Sequence, residues 1–330
     1  MDTLDACCAI ELILLSPDAK NATHKKKMRH LLPYSYLLAI AEAGSIRKAA
    51  DILAITPSAL NRRLLSIEEE LGTNLFERMA DGVRPSTAGE IFLQHVREQI
   101  SDMDRVKSRI ADLSGMRLGR VSLVVSHETV GDFLNQEIAR YRQDFPSVTF
   151  DIKLCARDEA SDHLVSHSSD IALLFEPQKI ADIQISYSLK QPIGIRLKTD
   201  HPLSSSRSVR LYELAEHPLI LPRRDSGLHH KVSSAAIRQG INLDLAIETD
   251  SPQLYLNHLL VSNHLLLDLS INQLTDEPEA SHLSLPLDER DVEPGFLFVG
   301  HLKGRTLPVA SARFLEQLVA SLAKLADRSE

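Results

Sequence analysis

The sequence predicts a multidomain α/β chain: a winged helix-turn-helix at the N-terminal end, a long linking helix, and a two-lobed α/β body. Three observations predict it. Residues 31–72 hold three short helical patterns divided by turn signals. Residues 87–113 run unbroken at heptad spacing. From Val121 onward, short apolar runs alternate with helical patterns, the mark of a sheet covered by helices.

At 330 residues the chain is too long for one small domain. It is 43% hydrophobic and 25% charged, as ordinary globular proteins are. No run of about 18 apolar residues occurs, so no membrane span is expected. Cys7, Cys8 and Cys155 have no metal-ligand spacing and form no disulfide framework, which suits a reducing, cytoplasmic setting. In residues 1–27, acids precede the apolar run from Ala6 to Leu15, the reverse of a signal peptide. This segment reads as a disordered extension ahead of Met28, itself an alternative start. Net charge is −8, yet residues 25–87 hold ten cations against seven acids. A locally positive segment on an acidic body points to a polyanion contact.

The elements follow in order. Leu31–Ala43 is helical, with Leu37, Ile40 and Ala41 on one face and Gly44 as the stop. Ser45 caps a second helix, Ile46–Leu53, whose Ala49 and Ala50 permit close packing. Thr56 caps a third, with Pro57 at its first position, where a missing N–H is harmless. On it Leu60, Leu64, Ile67 and Leu71 form one stripe. Ser58, Arg62 and Leu65 point away, Asn61 lies on the flank, and Gly72 closes the helix. Two helices joined by a tight turn, the second with a polar front end, make a helix-turn-helix. The front of that second helix enters the major groove, so Ser58, Asn61, Arg62 and Arg63 are candidate DNA contacts, with Arg47 beside them. The glutamates at 68–70 stay at the far end. Asp81-Gly82 between short apolar pieces signals a hairpin. As a wing, that hairpin would bring Arg84 to a phosphate.

The run AEAGSIRKAADILAITPSALNRRLLSIEEELGTNLFERMADGVRPSTAGE resembles the DNA-binding end of LysR-type transcriptional regulators. The likeness lies in Gly-Ser before the second helix, the paired alanines, Pro-Ser-Ala-Leu-x-Arg, Glu-Glu-Leu-Gly, Leu-Phe-Glu-Arg and Thr-Ala-Gly. It spans about residues 29–115 and, by layout, the rest of the chain. Pro57 stands where the family commonly has glutamine, Asn61 where it has serine, and Asp81 where the wing often carries arginine. Base preference therefore does not carry over. Asn61 can bond an adenine edge; Pro57 cannot.

Beyond the wing, Phe92, Val96, Gln99, Met103, Val106, Ile110 and Leu113 form a heptad seam with one polar member. The seam favours pairing with a second copy over packing on the chain's own body. The resemblance implies a linker helix that pairs two DNA-binding domains, hence a homodimer or homotetramer.

Ser114-Gly115 and Gly119 mark a hinge. Val121–Val125, Val148–Leu154 and Asp170–Phe175 read as strands around helices Val130–Phe145 and Asp158–His167. This predicts a parallel sheet with right-handed crossovers. Strands at Ile193–Leu197, Leu219–Leu221, Leu243–Thr249 and Leu265–Leu269, with helices Leu228–Gln239 and Pro252–Ser262, predict a second lobe. Phe296–Gly300 and the helix Ala310–Leu325 close the chain. The boundaries expected are 28–86 for the DNA-binding domain, 87–114 for the linker and 119–330 for the effector domain. Lobe I takes about 119–190 and 295–330, lobe II about 193–290. Two such lobes have the shape of periplasmic solute-binding proteins, and the resemblance implies that fold for an effector domain.

Ligands of open α/β sheets sit beyond strand C-termini, at helix N-termini. That selects Ser126, His127 and Thr129, then Ser226 and Gly227, then Asp250 and Ser251. Helix N-termini favour an anionic effector, with Arg223 or Arg224 in support. Ser126, Ser226 and Ser251 read equally well as plain helix caps. His163 and His167 are four apart but lack a third ligand, His229 and His230 diverge on a helix, and Cys155 has no resolving partner. No catalytic motif, cofactor or metal site is read. The expected partners are double-stranded DNA, a small effector and further copies of the chain, without a membrane. The alternative is a small-molecule-binding or enzymatic α/β protein without DNA function, separable by a gel shift after deleting 28–90.

Overall fold

The computed structural model describes residues 31–113, 118–272 and 282–329. The extension 1–27, Met28 and the Ser114-Gly115 hinge lie outside these residues. The described chain divides into two compact units, one ending at Ile100 and one beginning at Ser101, so the break falls inside the linker helix.

The first unit opens with three helices: α1 (Leu32–Ala43), α2 (Ile46–Ile52) and α3 (Pro57–Leu71). Each start has its physical cause. The Ser45 hydroxyl accepts from Lys48 N–H, and Thr56 Oγ1 accepts from Ala59 N–H at 3.3 Å, relieving unpaired helix-end donors. Strands β1 (Phe76–Met79) and β2 (Gly82–Pro85) pair antiparallel as the wing. Helix α4 (Thr87–Leu113) follows, capped by Ser86 Oγ, which accepts from Gly89 N–H at 3.0 Å. The core joins Leu37, Ile40, Ala49, Ala50, Leu60, Leu64 and Leu75 to Leu93 and Val96 of α4.

The stripe on α3 differs from its reading at the far end. Leu71 is exposed, while Glu68 is only 8% exposed. Glu68 Oε1 accepts from Leu75 N–H at 2.7 Å and Phe76 N–H at 3.1 Å. One of the three glutamates thus works inward, tying the turn after α3 to the first wing strand; Glu69 and Glu70 are exposed. Glu68→Ala strands two buried N–H donors, and unpaired buried donors are costly. The expected loss is about 2–3 kcal/mol, read as a lowered melting transition of the first unit in the full chain.

The second unit holds two five-stranded sheets. The first is ordered β4-β3-β5-β12-β6, with β3 (Gly119–Ser126), β4 (Val148–Cys155), β5 (Ile171–Phe175), β6 (Ile183–Gln191) and β12 (Gly295–Leu302). The second is ordered β11-β7-β10-β8-β9, with β7 (Ile193–Lys198), β8 (Leu219–Leu221), β9 (Leu245–Glu248), β10 (Leu265–Leu269) and β11 (His282–Pro286). Helices α5 (Asp132–Asp144), α6 (Ala160–Val165) and α10 (Val309–Ser329) belong with the first sheet; α7 (Leu211–Leu214), α8 (Gly227–Gln239) and α9 (Pro252–Val261) belong with the second. One hydrophobic cluster runs through both, from Val125 and Phe175 to Leu228 and Leu267. The chain crosses between sheets twice, at Pro192 and between β11 and β12.

The three strands read as parallel do pair that way, and each sheet adds antiparallel pairings that the reading did not include. β3 pairs parallel with β4 and β5, but β12 runs antiparallel to β5 and β6. In the other sheet, β7 is antiparallel to β10 and β11. The reversed members, β7 and β12, are the strands that follow the two crossovers. β6 and β11 escaped the reading altogether. β6 is IQISYSLKQ, a polar edge strand without an apolar run, and β11 is likewise an edge. The helix expected from Val130 begins instead at Asp132, because His127–Thr129 form a 3-10 turn and Gly131 is extended.

Candidate nucleic-acid interface and effector cleft

The proposed DNA-facing residues sit on the outer side of the head. Leu60 and Leu64 anchor α3 inside the core, which turns its opposite face outward. Ser58, Arg62 and Arg63 are exposed, as is Arg47 on α2; Asn61 is half-buried. Among the described residues no hydrogen bond or ion pair holds Arg62. The Arg63 guanidinium lies 4.9 Å from the Tyr36 ring centre, which steadies it without neutralising it. Asn61 Oδ1 accepts from Arg78 of β1 at 3.4 Å, a link between recognition helix and wing that sequence reading missed. Arg84 on β2 pairs with Glu77 at 2.8 Å, both well exposed; such a surface pair contributes about 0–1 kcal/mol.

The linker seam splits between two roles. Val96 is fully buried in the head core, and Phe92 packs against that core with its ring 6.2 Å from Tyr34. Both serve the chain's own fold. Gln99, Val106 and Ile110 are exposed, Ile110 to 58%, and Met103 is half-buried. The burial of Leu113 lies outside the described residues.

In the second unit the expected effector residues separate in the same way. Ser126 Oγ accepts from Phe175 N–H at 2.8 Å, and Thr129 Oγ1 donates to the Ser126 carbonyl at 2.8 Å. Both are internal braces. Ser226 and Ser251 cap α8 and α9 by accepting from His229 and Leu254 N–H. Asp250 is exposed. Arg224 is exposed and lies 3.4 Å from Glu248. Of the seven, only His127 lines the cavity between the sheets.

That cavity, about 50 Å³, is walled by His127, Glu128, Asp132, Arg196, Asp268 and Asn272 over an apolar floor that includes Leu228 and Leu266. The N-terminus of α8 is already filled. Glu128 reaches over from the 3-10 turn after β3, and its Oε1 accepts from Gly227 N–H at 2.8 Å and Leu228 N–H at 3.2 Å. The anion expected at this helix start is the chain's own carboxylate. Gly227 makes room for it, since a Cβ there would stand 2.5 Å from the Phe175 carbonyl and 2.9 Å from Glu128 Oε1. Asn272 Nδ2 donates to the Glu128 carbonyl at 2.8 Å and to Asp268 Oδ1 at 2.7 Å. Arg196 Nε lies 3.1 Å from Asp268 Oδ2, and its terminal nitrogen donates to the Asn272 carbonyl. Burial pushes the Glu128 carboxyl up to about 7 and raises that of Asp268.

The discounted sites have structural partners. His163 Nδ1 lies 3.0 Å from Ser168 Oγ and His229 Nε2 lies 3.0 Å from Glu248. Cys155 is buried, its thiol pushed up to about 12 first by desolvation and then by Glu159, so it is a poor nucleophile. Among the described residues no group of three or more His, Cys, Asp or Glu is arranged to hold a metal, and no helix is long and apolar enough to cross a membrane.

Comparison with known proteins agrees with this arrangement. Residues 33–90 match the family model "Bacterial regulatory helix-turn-helix protein, lysR family", and residues 114–323 match "LysR substrate binding domain". The HTH-type transcriptional activator CmpR of Synechocystis is 24% identical over 311 residues, covering 91% of this chain and 96% of that one. The HTH-type transcriptional regulator AlsR of Bacillus subtilis is 26% identical over 200 residues, covering 61% and 65%. Among solved structures, full-length CbnR complexed with its target DNA has a TM-score of 0.60 at 18% identity, covering 88% of this chain and 99% of that one. A full-length OxyR variant from Pseudomonas aeruginosa has a TM-score of 0.61 at 15% identity, covering 88% and 94%. With family models matching well over half its length, the chain belongs to the LysR-type DNA-binding transcriptional regulators, whose second domain binds an effector.

Proposed function

We propose that this regulator reads duplex DNA with the front of α3, using Arg62, Asn61, Ser58 and Arg63, while Arg47 and the wing's Arg84 hold phosphates. The observation that carries the reading is Arg62: an exposed guanidinium without a protein partner among the described residues, on a helix whose other face is locked by Leu60 and Leu64. An unpaired cation on a rigid support is what a phosphate or a guanine edge needs. CbnR, a regulator of similar fold, is itself solved in complex with its target DNA. Exposed Val106 and Ile110 suit pairing of the linker helix with a second copy, giving a homodimer or a homotetramer. Two recognition helices then read a two-fold site. The small effector sits between the two sheets of the second unit, where a cavity already lies, and the protein works in the cytoplasm.

The test is a gel shift on the protein's own upstream region across a salt series. Arg62→Ala is expected to weaken binding and, for one lost phosphate contact, to reduce the log–log salt slope by about 0.9. Unchanged affinity and slope would remove Arg62 from the interface.

A further inference from the structure

The effector cleft is built to receive hydrogen-bond donors. Three polar atoms on its wall are buried without a hydrogen-bond partner among the described residues: Glu128 Oε2, Asn272 Oδ1 and Arg196 Nε, the last in ion-pair contact with Asp268 Oδ2 at 3.1 Å. The two oxygens are acceptors, that of Glu128 once its carboxyl is ionised, and their residues are 4% and 3% exposed. His127 Nδ1 is also buried and unpartnered, and its role depends on the tautomer. The cavity's one arginine is already committed: Arg196 is bound to Asp268 and to the Asn272 carbonyl. Three carboxyl groups, Glu128, Asp132 and Asp268, face that single cation. The helix N-terminus that would draw an anion is occupied by Glu128 Oε1. An incoming carboxylate would meet acceptors and negative charge, with the helix-start donors spent.

We propose that the cleft takes a small organic cation, an alkylammonium or amidinium group, whose N–H donors pair with Glu128 Oε2 and Asn272 Oδ1 while its carbon stem lies on Leu228 and Leu266. The inference rests on reading the cleft as the effector site. Three features favour it over a metal ion or a neutral ligand. No metal-holding cluster exists among the described residues. A buried unpaired carboxylate oxygen is among the costliest groups to leave unsatisfied, and an ammonium removes that cost by charge-assisted bonding. The cavity of about 50 Å³ has room for a small head group, since one water needs roughly 10–15 Å³ of such space. A longer cation parts the sheets at the two crossovers, which gives the ligand a differential hold on open and closed arrangements.

The test uses the full chain and two matched probe panels at constant ionic strength: methylammonium, ethanolamine and agmatine against acetate, glycolate and succinate. Calorimetry and thermal shift are expected to show saturable binding of at least one amine and none of the acids. Glu128→Gln keeps an amide oxygen for the two N–H donors of α8 but turns the unpartnered acceptor into a donor. Its ligand-free melt reports folding, and its amine affinity is expected to fall about tenfold or more, the scale of one charge-assisted hydrogen bond. Binding of a carboxylate in place of amines overturns the proposal and leaves the cleft standing as an effector site. Equal amine affinity in wild type and E128Q overturns the assignment to Glu128. If neither panel binds with a Kd below about 10 mM, a weak-affinity limit of roughly 3 kcal/mol, the proposal and the cleft reading fall together.

Discussion

Asp170→Ala is expected to cost the second unit about 3–5 kcal/mol, the range for breaking a buried ion pair from one side. Asp170 and Arg305 have side chains only 8% and 7% exposed. Arg305 bonds Asp170, donates to the Ser169 carbonyl at 3.0 Å, and reaches Ser101 Oγ at 2.8 Å. Ser311 Oγ donates to the other Asp170 oxygen at 2.8 Å. One carboxylate thus joins the start of β5, the loop before α10, the first turn of α10 and, through Arg305, the part of α4 that begins at Ser101. Desolvation already pulls the Arg305 guanidinium below its usual value, with Asp170 opposing. Removing Asp170 leaves that cation buried and uncompensated. The measurement is urea unfolding of the full chain, following the second unit's transition. The double variant Asp170→Ala/Arg305→Met is expected to recover much of the loss, because most of the penalty belongs to the stranded charge and little to the attraction itself. A single-variant loss under about 1 kcal/mol would show that solvent reaches Arg305 and that the pair is a surface one.

This cluster also marks where sequence ceased to be informative. Asp170 reads simply as the residue that opens an apolar strand, and Arg305 as a loop cation far along the chain; nothing in their spacing joins them. The head was legible because its determinants are local. Thr56-Pro57, the four-three-four leucine spacing and Gly72 specify α3 within one short stretch, and Asp81-Gly82 specifies the wing turn. The cleft was legible only to the level of its address. Reading beyond strand C-termini selected Ser126, His127 and Thr129, and passed over Glu128 between them. The serines and threonine of that reading are braces and caps, because a hydroxyl near a helix start satisfies the helix first. The stronger signal lay inside the strands. Arg196 interrupts IGIRL and Asp268 interrupts LLLDL. A lone charge within a buried apolar strand needs a partner, and the two are of opposite sign. Pairing them would have pointed to β7 beside β10 and to this cavity. Glu68 carried a similar signal, as one acid of three that falls on the leucine stripe of α3.

Glu128→Gln is expected to stabilise the protein relative to wild type at about pH 8 and to lose most of that advantage near pH 5. Burial pushes the Glu128 carboxyl up to about 7, offset in part by its backbone hydrogen bonds, among them those from Leu228 and Gly227, and by the charge of Arg157. In the unfolded chain the same group titrates near 4.3. The folded protein therefore holds a proton that the unfolded chain has already released, and stability falls as pH rises through that window. The expected change in the variant-minus-wild-type difference between about pH 5 and pH 8 is roughly 2–3 kcal/mol. The other titratable groups around Glu128, namely His127, Asp132, Arg196, Tyr255 and Asp268, are present in both proteins, so their own titrations largely cancel in the difference. The same burial sets the direction of ligand linkage: a cation that pairs with the ionised carboxylate draws a proton off Glu128 and binds more tightly at pH 8 than at pH 6, so long as its own amine stays charged. Urea titrations of both proteins at the two pH values, with and without ethanolamine, separate the two effects. A difference that stays flat with pH would mean that Glu128 is solvated in solution, and an amine affinity indifferent to pH would mean that the ligand does not touch it.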